Sequence, residues 1–258
     1  MEFDLIELIR QRTAQPRDDV RVGIGDDAAV LAVPAGKDLV VAIDTLVEGV
    51  HFPRGTAAVD IGWKALAVNL SDLAAMGASP AWALLSLTLP QVDNAFVEGF
   101  VEGFAQLAQP HRLALVGGDT TRGPLAVSVA VHGFVPAGKA LTRAGARAGD
   151  VVLVTGTLGD AAAGLHAQPQ PPRGDDARAG LREYLIERLS RPTPRLAAGI
   201  ALRDQAHACT DVSDRLLADL GPIRTASGVR AELDSAPPPP SPRLLALSRP
   251  PPALPFPL

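Results

Sequence analysis

The chain has 258 residues, of which 47% are apolar and 20% charged, with a formal net charge of −4 at pH 7. This balance describes a globular protein of one large or two smaller domains, and it gives no electrostatic case for nucleic acid or an anionic membrane as partner. The lone Cys209 excludes an internal disulfide framework and a cysteine-based zinc site, and no apolar stretch approaches the ~20 residues that span a bilayer. In chain order, MEFDLIELIRQR reads as a charged amphipathic helix and not as a signal peptide, which points to the cytoplasm. VRVGI, AAVLAV and DLVVAID follow as short strands separated by Gly, Asp and Pro turn residues. DIGWKALAVNLSDLAAMG is a helix whose Trp63, Leu66, Ala67, Leu70, Leu73, Ala74 and Gly77 recur at helical spacing, leaving Asn69 and Asp72 on another face. AWALLSLTLP is a strand, and DNAFVEGFVEGFAQLAQ is a helix with Phe96, Phe100 and Phe104 stacked as core. LALVGGD and PLAVSVAVHGFV complete the first unit as strands.

RAGARAGD is the joint to a second unit, where small and charged residues break the apolar pattern. That unit opens with VVLVTG as a strand, then TLGDAAAGL as a glycine-bearing turn into a helix. AQPQPPRGDDARAG is a loop by composition. LREYLIERL and PRLAAGIALRDQ read as helices, the latter with proline in its first turn. HACTDVSD gives a short strand into the helix RLLADLGPIRTA, and VRAELD a final strand. From Ala236 to Leu258, ten of 23 residues are proline, so neither a helix nor an interior strand persists there, and a disordered tail is expected. The expected fold class is α+β (a two-domain α/β chain): a mixed sheet with helices over 1–137, an incomplete α/β unit over 138–235, and the tail over 236–258.

Carboxylates cluster in short motifs at the edges of apolar runs: GIGDDAAV, IDTLVEGVHF, NLSDLAAMGA, GGDTTRGP and TDVSDRLLADL. Short aspartate side chains suit a rigid site for hard divalent cations. Like charges converge only where cations neutralise them, and a polyphosphate is the natural client. There is no GxxxxGK[ST], so phosphate is not held by a Walker loop. A single Asp after a strand is commonly a turn former or cap, which is the reading for Asp26 and Asp160. VTGTLGD resembles a phosphate-cradling turn, with a tight turn at positive-φ Gly156 and Gly159 as the competing reading. His132 reads as a packed strand residue, and His111, His166 and His207 show no metal-ligand spacing.

GIGDDAAV, DTLVEGVHF, KALAVNLSDLAAMGASP, GGDTTRGP, HGFVP, LTRAGARAGD, VTGTLGD and SDxLLADLG occur in the order found in the thiamine-monophosphate kinase family, within the aminoimidazole ribonucleotide synthetase-like superfamily. The resemblance covers roughly residues 1 to 234. It implies transfer of the ATP γ-phosphate onto thiamine monophosphate, several Mg²⁺ ions, and a homodimer built through the N-terminal domains. By the same resemblance Asp27, Asp44, Asp72, Asp119, Asp211 and Asp214 match Mg²⁺-binding aspartates. Gly118, Asp119, Arg143 and Ser213 match nucleotide contacts, and His51 a contact to the thiamine substrate. Arg143 has a hinge salt bridge as its alternative reading. Two further metal positions, usually Ser and Thr, are here Ala42 and Ile43, so only their backbone carbonyls could serve. Arg215 stands where the family has glycine, with local distortion or competition for Asp214 expected. The family's SGGEDYEL motif and an aromatic near its C-terminus, both thiamine contacts, have no match after VRAELD, and the tail resembles a shifted reading frame. The second reading is therefore a metal- and nucleotide-binding chain without turnover.

Overall fold

A computed structural model describes residues 2–168 and 179–232. The chain divides into two compact units, Met1–Val151 with Thr193–Ala231, and Val152–Pro192 with Glu232–Leu258. The expected loop at 169–178 and the tail at 236–258 lie outside the described residues.

In the first unit, α1 (Glu2–Arg12) precedes a small antiparallel pair, β1 (Val20–Val22) and β2 (Val30–Leu31). β3 (Lys37–Val47), β4 (Ser79–Leu89), β5 (Ala114–Arg122) and β6 (Ala126–Pro136) form one sheet in the order β3-β6-β4-β5. β6 runs antiparallel to both β3 and β4, while β4 and β5 are parallel. Parallel neighbours need a crossover, supplied by the helix α3 (Asn94–Ala108). α2 (Ala58–Ala75) links β3 to β4. Ile61, Leu66, Leu70 and Leu73 of α2 and Val97, Phe100 and Phe104 of α3 are at most 2% exposed and pack with Leu85, Leu87, Val127, Val129 and Val131 of the sheet. Asp93 starts α3 by accepting a hydrogen bond from the Phe96 N–H at 3.0 Å, as an N-cap should. The two helices meet backbone to backbone. A Cβ at Gly62 would lie 1.9 Å from the Phe100 carbonyl oxygen, and one at Gly103 would lie 1.8 Å from that of Val59.

Alternation gives the sheet two faces. Val40, Ala42, Asp44 and Leu46 of β3 turn toward the helices, with Leu46 only 5% exposed. Leu39, Val41 and Ile43 turn the other way and are 42%, 55% and 65% exposed, joined by Leu84 of β4 at 37%. Trp82, on that second face beside His132, is covered by Val20, Ala29 and Leu31 around the β1–β2 pair, and its indole N–H donates to Asp19 at 3.0 Å. His132 is half-buried there, and burial lowers its pKa.

Three expected strands do not form. Residues 151–156 and 207–214 adopt no strand, nor do 229–232, and 233–234 lie outside the described residues. A strand exists only where a neighbour accepts its backbone hydrogen bonds, and β propensity alone left Val151 and Leu153 78% and 80% exposed. The expected border at residue 137 also shifts, because 193–231 packs within the first unit. α6 (Leu196–Leu202) lies on α2, and the Arg203 guanidinium donates to the Gly77 carbonyl and to Ser79 Oγ. The Cys209 N–H donates to the Thr142 carbonyl at 2.8 Å. Ser227, ending α7 (Leu216–Ser227), accepts from the Gly145 and Ala146 amides and donates to the Arg143 carbonyl, each at 3.1 Å.

In the second unit α4 (Asp160–Ala167) packs against α5 (Ala179–Ser190). Asp160, the first residue of α4 and not its cap, is 2% exposed and accepts from Thr157 Oγ1 at 3.0 Å and the Tyr184 hydroxyl at 3.1 Å, which ties α4 to α5. Gly156 and Gly159 have φ of 97° and 94°, so the tight-turn reading of VTGTLGD holds. Among the described residues no helix is long and apolar enough to cross a membrane.

Candidate active site

Three aspartates from distant parts of the sequence act on one another. Asp44 is near the end of β3, Asp72 is on the last turns of α2, and Asp211 precedes α7. The Asp72 carboxyl is pushed up to about 6, first by burial, then by the negative charges of Asp211 and Asp44, against a smaller opposing effect from Arg143. Asp211 is likewise raised, mainly by burial, with Asp219 and Asp44 adding to it and Arg143 opposing. Arg143 is held beside this group by its Nε, which donates to Thr210 Oγ1 at 3.3 Å. The group is loose: among the described residues no three His, Cys, Asp or Glu side chains converge on one point. What it offers is half-buried, oxygen-only, excess negative charge, the environment that a hard cation relieves.

The other acidic candidates stand apart. Asp27 is exposed in the loop between β1 and β2, its N–H donating to Asp26 Oδ1 at 2.8 Å, which makes Asp26 the expected turn former. Asp119 is exposed on β5, in register with Ser86, which in turn aligns with Ser128 and Thr45. Those residues belong to the apolar open face, so Asp119 points away from the helix side that carries Asp44. Gly118 beside it has φ 155°, and a Cβ there would fall 1.8 Å from the Leu85 carbonyl oxygen, so β5 can approach β4 only with glycine at this position. Asp214, Ser213 and Arg215 are exposed in a loop whose three backbone amides donate to Asp219 Oδ2 at 3.2, 3.1 and 3.2 Å respectively. Arg215 takes an extended backbone, φ −157°, open to any residue, and forms no ion pair with Asp214 among the described residues. That backbone conformation does not by itself call for glycine at this position.

The β3 edge is more selective than the sequence implied. The Asp44 N–H donates to Asn69 Oδ1 at 3.0 Å, and the ends of the ladder show which way β3 faces: the Glu48 N–H donates to the Leu125 carbonyl and the Ala137 N–H to that of Gly36, whereas the N–H and carbonyl of Val47 bond within their own loop. In an antiparallel ladder the N–H and C=O of one residue point the same way and successive residues alternate. The Ile43 carbonyl is therefore on the free edge, while that of Ala42 turns to Val131 of β6. Asn69 is 1% exposed, and its amide nitrogen also donates to the Ala65 carbonyl at 2.9 Å. It lies inside the core although its spacing puts it on another face than the apolar stripe, and its role is to fix Asp44. Its signal in the sequence was a polar residue amid AVNL on an otherwise apolar helix. Asp219, whose carboxylate organises the Ser213 loop, had no such signal, since an acid in a helix's first turn is ordinary.

His51 is exposed at the tip of the loop after β3. Its Nδ1 accepts from the Val47 N–H at 3.0 Å. Lys64, two turns before Asp72 on α2, donates from Nζ to the His51 carbonyl at 2.9 Å.

The family model for the N-terminal domain of AIR synthase related protein matches residues 25–135, the stretch that carries the mixed four-stranded sheet and its two crossing helices. Thiamine-monophosphate kinase of Escherichia coli K12 is 50% identical over 235 residues, covering 91% of this chain and 72% of that protein. The crystal structure of thiamine-monophosphate kinase from Stenotrophomonas maltophilia K279a is 54% identical with a TM-score of 0.80, over 88% of this chain and 72% of that one. AaThiL complexed with AMPPCP and TMP is 34% identical with a TM-score of 0.71, over 88% and 70%. The chain belongs to the thiamine-monophosphate kinase family.

Proposed function

We propose that this chain transfers the γ-phosphoryl group of ATP onto the phosphate of thiamine monophosphate, giving thiamine diphosphate and ADP. The observation that carries the reading is the mutual charge of Asp44, Asp72 and Asp211, opposed by Arg143, at one edge of the family's fold. Asp44, Asp72 and Asp211, with the free Ile43 carbonyl, would hold Mg²⁺, joined by Asp27, Asp119 and Asp214, and Ala42 would contribute only through a carbonyl shared with β6. Bound there, Mg²⁺ would screen the two polyanions from each other and from the carboxylates. A phosphate oxygen of the acceptor forms the new P–O bond in line as the bond to ADP breaks. That oxygen is already ionised at neutral pH, so no general base is required. Arg143 supplies a guanidinium for a phosphate oxygen, and Gly118 and Ser213 flank the nucleotide. His51, outside the charged group, meets the organic end of the acceptor.

A homodimer completes this reading. Leu39, Val41, Ile43 and Leu84 form an apolar face that a second copy would cover. Asp119 lies on that face, three strand spacings from β3, or roughly 14 Å. Cytoplasmic residence suits ATP as co-substrate. The test is incubation with ATP, Mg²⁺ and thiamine monophosphate, followed by chromatography for thiamine diphosphate. No product under conditions where the Escherichia coli enzyme turns over would reject the activity. The exposed, unpaired 151–154 segment favours a second reading, a chain that binds metal and nucleotide without turnover. Calorimetry separates the two, since ATP·Mg²⁺ heat without any thiamine monophosphate heat supports only the latter.

A further inference from the structure

The loop Val47–Phe52 is tied to itself and to α2 in a way that fixes one side chain. The Val47 carbonyl accepts from the Val50 and His51 amides at 3.1 and 2.9 Å, and the Gly49 N–H donates to the Phe52 carbonyl at 2.8 Å. Phe52 is 3% exposed and anchors the end of the loop in the core. Within this frame the Val47 N–H reaches His51 Nδ1. A backbone amide only donates, so Nδ1 carries no proton, and the neutral ring must bear its proton on Nε2. The His51 ring is exposed and thus presents a single N–H donor outward.

Lys64 supplies the tie from the helix. Its ammonium is half-buried and donates to the His51 carbonyl, and burial lowers its pKa. Among the described residues no carboxylate pairs with it. A half-buried ammonium held by a carbonyl and no counter-charge is not a stabilising device, since desolvating a cation is unfavourable. Nor does it suit the reacting phosphates. Lys64, Val68 and Asp72 follow at i, i+4 and i+8 along α2, which puts Lys64 about 12 Å along the axis from the carboxylate end.

We propose that Lys64 is a positioning residue that locks the Val47–Phe52 loop so that His51 offers its Nε2–H to a hydrogen-bond acceptor, a ring nitrogen or hydroxyl oxygen, on the organic end of the acceptor substrate. This rests on the proposed function for the identity of that substrate, but the tautomer and the lock are properties of the free protein.

The experiment uses the full chain with Lys64→Met, which keeps length and removes the donor, and Lys64→Arg, which restores one. Long-range proton–nitrogen correlation spectra of the imidazole rings, assigned with His51→Gln, should show His51 as the Nε2–H tautomer in the parent. Lys64→Met should give exchange-averaged tautomers, and Lys64→Arg the parent pattern. In turnover assays Lys64→Met should raise KM for thiamine monophosphate by roughly fivefold to tenfold, the scale of one lost orienting hydrogen bond, with kcat and the KM for ATP within about twofold. An unchanged tautomer in Lys64→Met, or equal losses in both KM values, overturns the proposal. If Lys64→Met does not fold, Lys64→Gln takes its place with intermediate values expected. Absence of turnover in the parent would fall on the proposed function, while the spectra still decide the lock.

Discussion

Replacing Asp72 with asparagine removes the charge from the carboxylate group while keeping side-chain shape. The Asp72 carboxyl is raised from 3.8 to about 6 by burial and by Asp211 and Asp44. A raised folded-state pKa means that the fold favours the protonated form. The resulting stability is fully present below the unfolded value, near 3.8, and is lost as pH rises through about 6. At 1.36 kcal/mol per pKa unit the loss is at most about 3 kcal/mol, with water reaching a half-buried site acting to reduce it. Asparagine has no such dependence. In metal-free buffer with chelator, the stability of Asp72→Asn minus that of the parent should therefore rise by about 1 to 2 kcal/mol between pH 4 and pH 8. Urea unfolding followed by circular dichroism at both pH values measures it, since carboxylates outside the Asp44–Asp72–Asp211 group titrate alike in both proteins. Excess Mg²⁺ at pH 8 should reverse the order by stabilising the parent more. A difference independent of pH would show that Asp72 does not share charge with Asp44 and Asp211, and the site argued above would lose its basis.

Other outcomes follow from single contacts. Gly103→Val would drive a side chain into the Val59 carbonyl oxygen, 1.8 Å from its Cβ, and force α2 and α3 apart. Destabilisation of about 3 kcal/mol or more in urea titration is expected. Asn69→Leu removes the side-chain acceptor of the Asp44 N–H, at about 1 kcal/mol, and should weaken Mg²⁺ binding by calorimetry beyond that of a comparably destabilised core variant. Asp219→Ala frees the amides of Ser213, Asp214 and Arg215, and amide hydrogen exchange there should accelerate while that of the sheet is unchanged. Ile43→Glu places a charge on the open apolar face, and sedimentation should then show monomer where the parent shows dimer.

Local periodicity was sufficient for the elements from α1 to β6. DIGWKALAVNLSDLAAMG and DNAFVEGFVEGFAQLAQ each carry one apolar stripe, and a stripe determines helix and buried face together. The same logic misplaced Asn69. It falls outside the apolar stripe, with Asp72 on another face, but burial was made tolerable by two partners, the Asp44 N–H and the Ala65 carbonyl, one of them 25 residues away. It also overstated VVLVTG, HACTDVSD and VRAELD. A β-rich segment becomes a strand only when another strand meets it, and no local pattern encodes that meeting.

The candidate aspartates were legible because each sits in a motif, a one-dimensional signal. The sequence by itself therefore determined the family, the N-terminal elements and the supply of oxygen donors. Only the tertiary structure decided which donors share a place: Asp44, Asp72 and Asp211 act on one another, while Asp119 stands on the opposite face of the sheet. Side chains alternate across a strand, but which face meets the helices is set by packing of α2 and α3 at the Gly62–Gly103 crossing. Electrostatic coupling falls steeply with distance and burial, quantities that exist only once the chain has closed on itself.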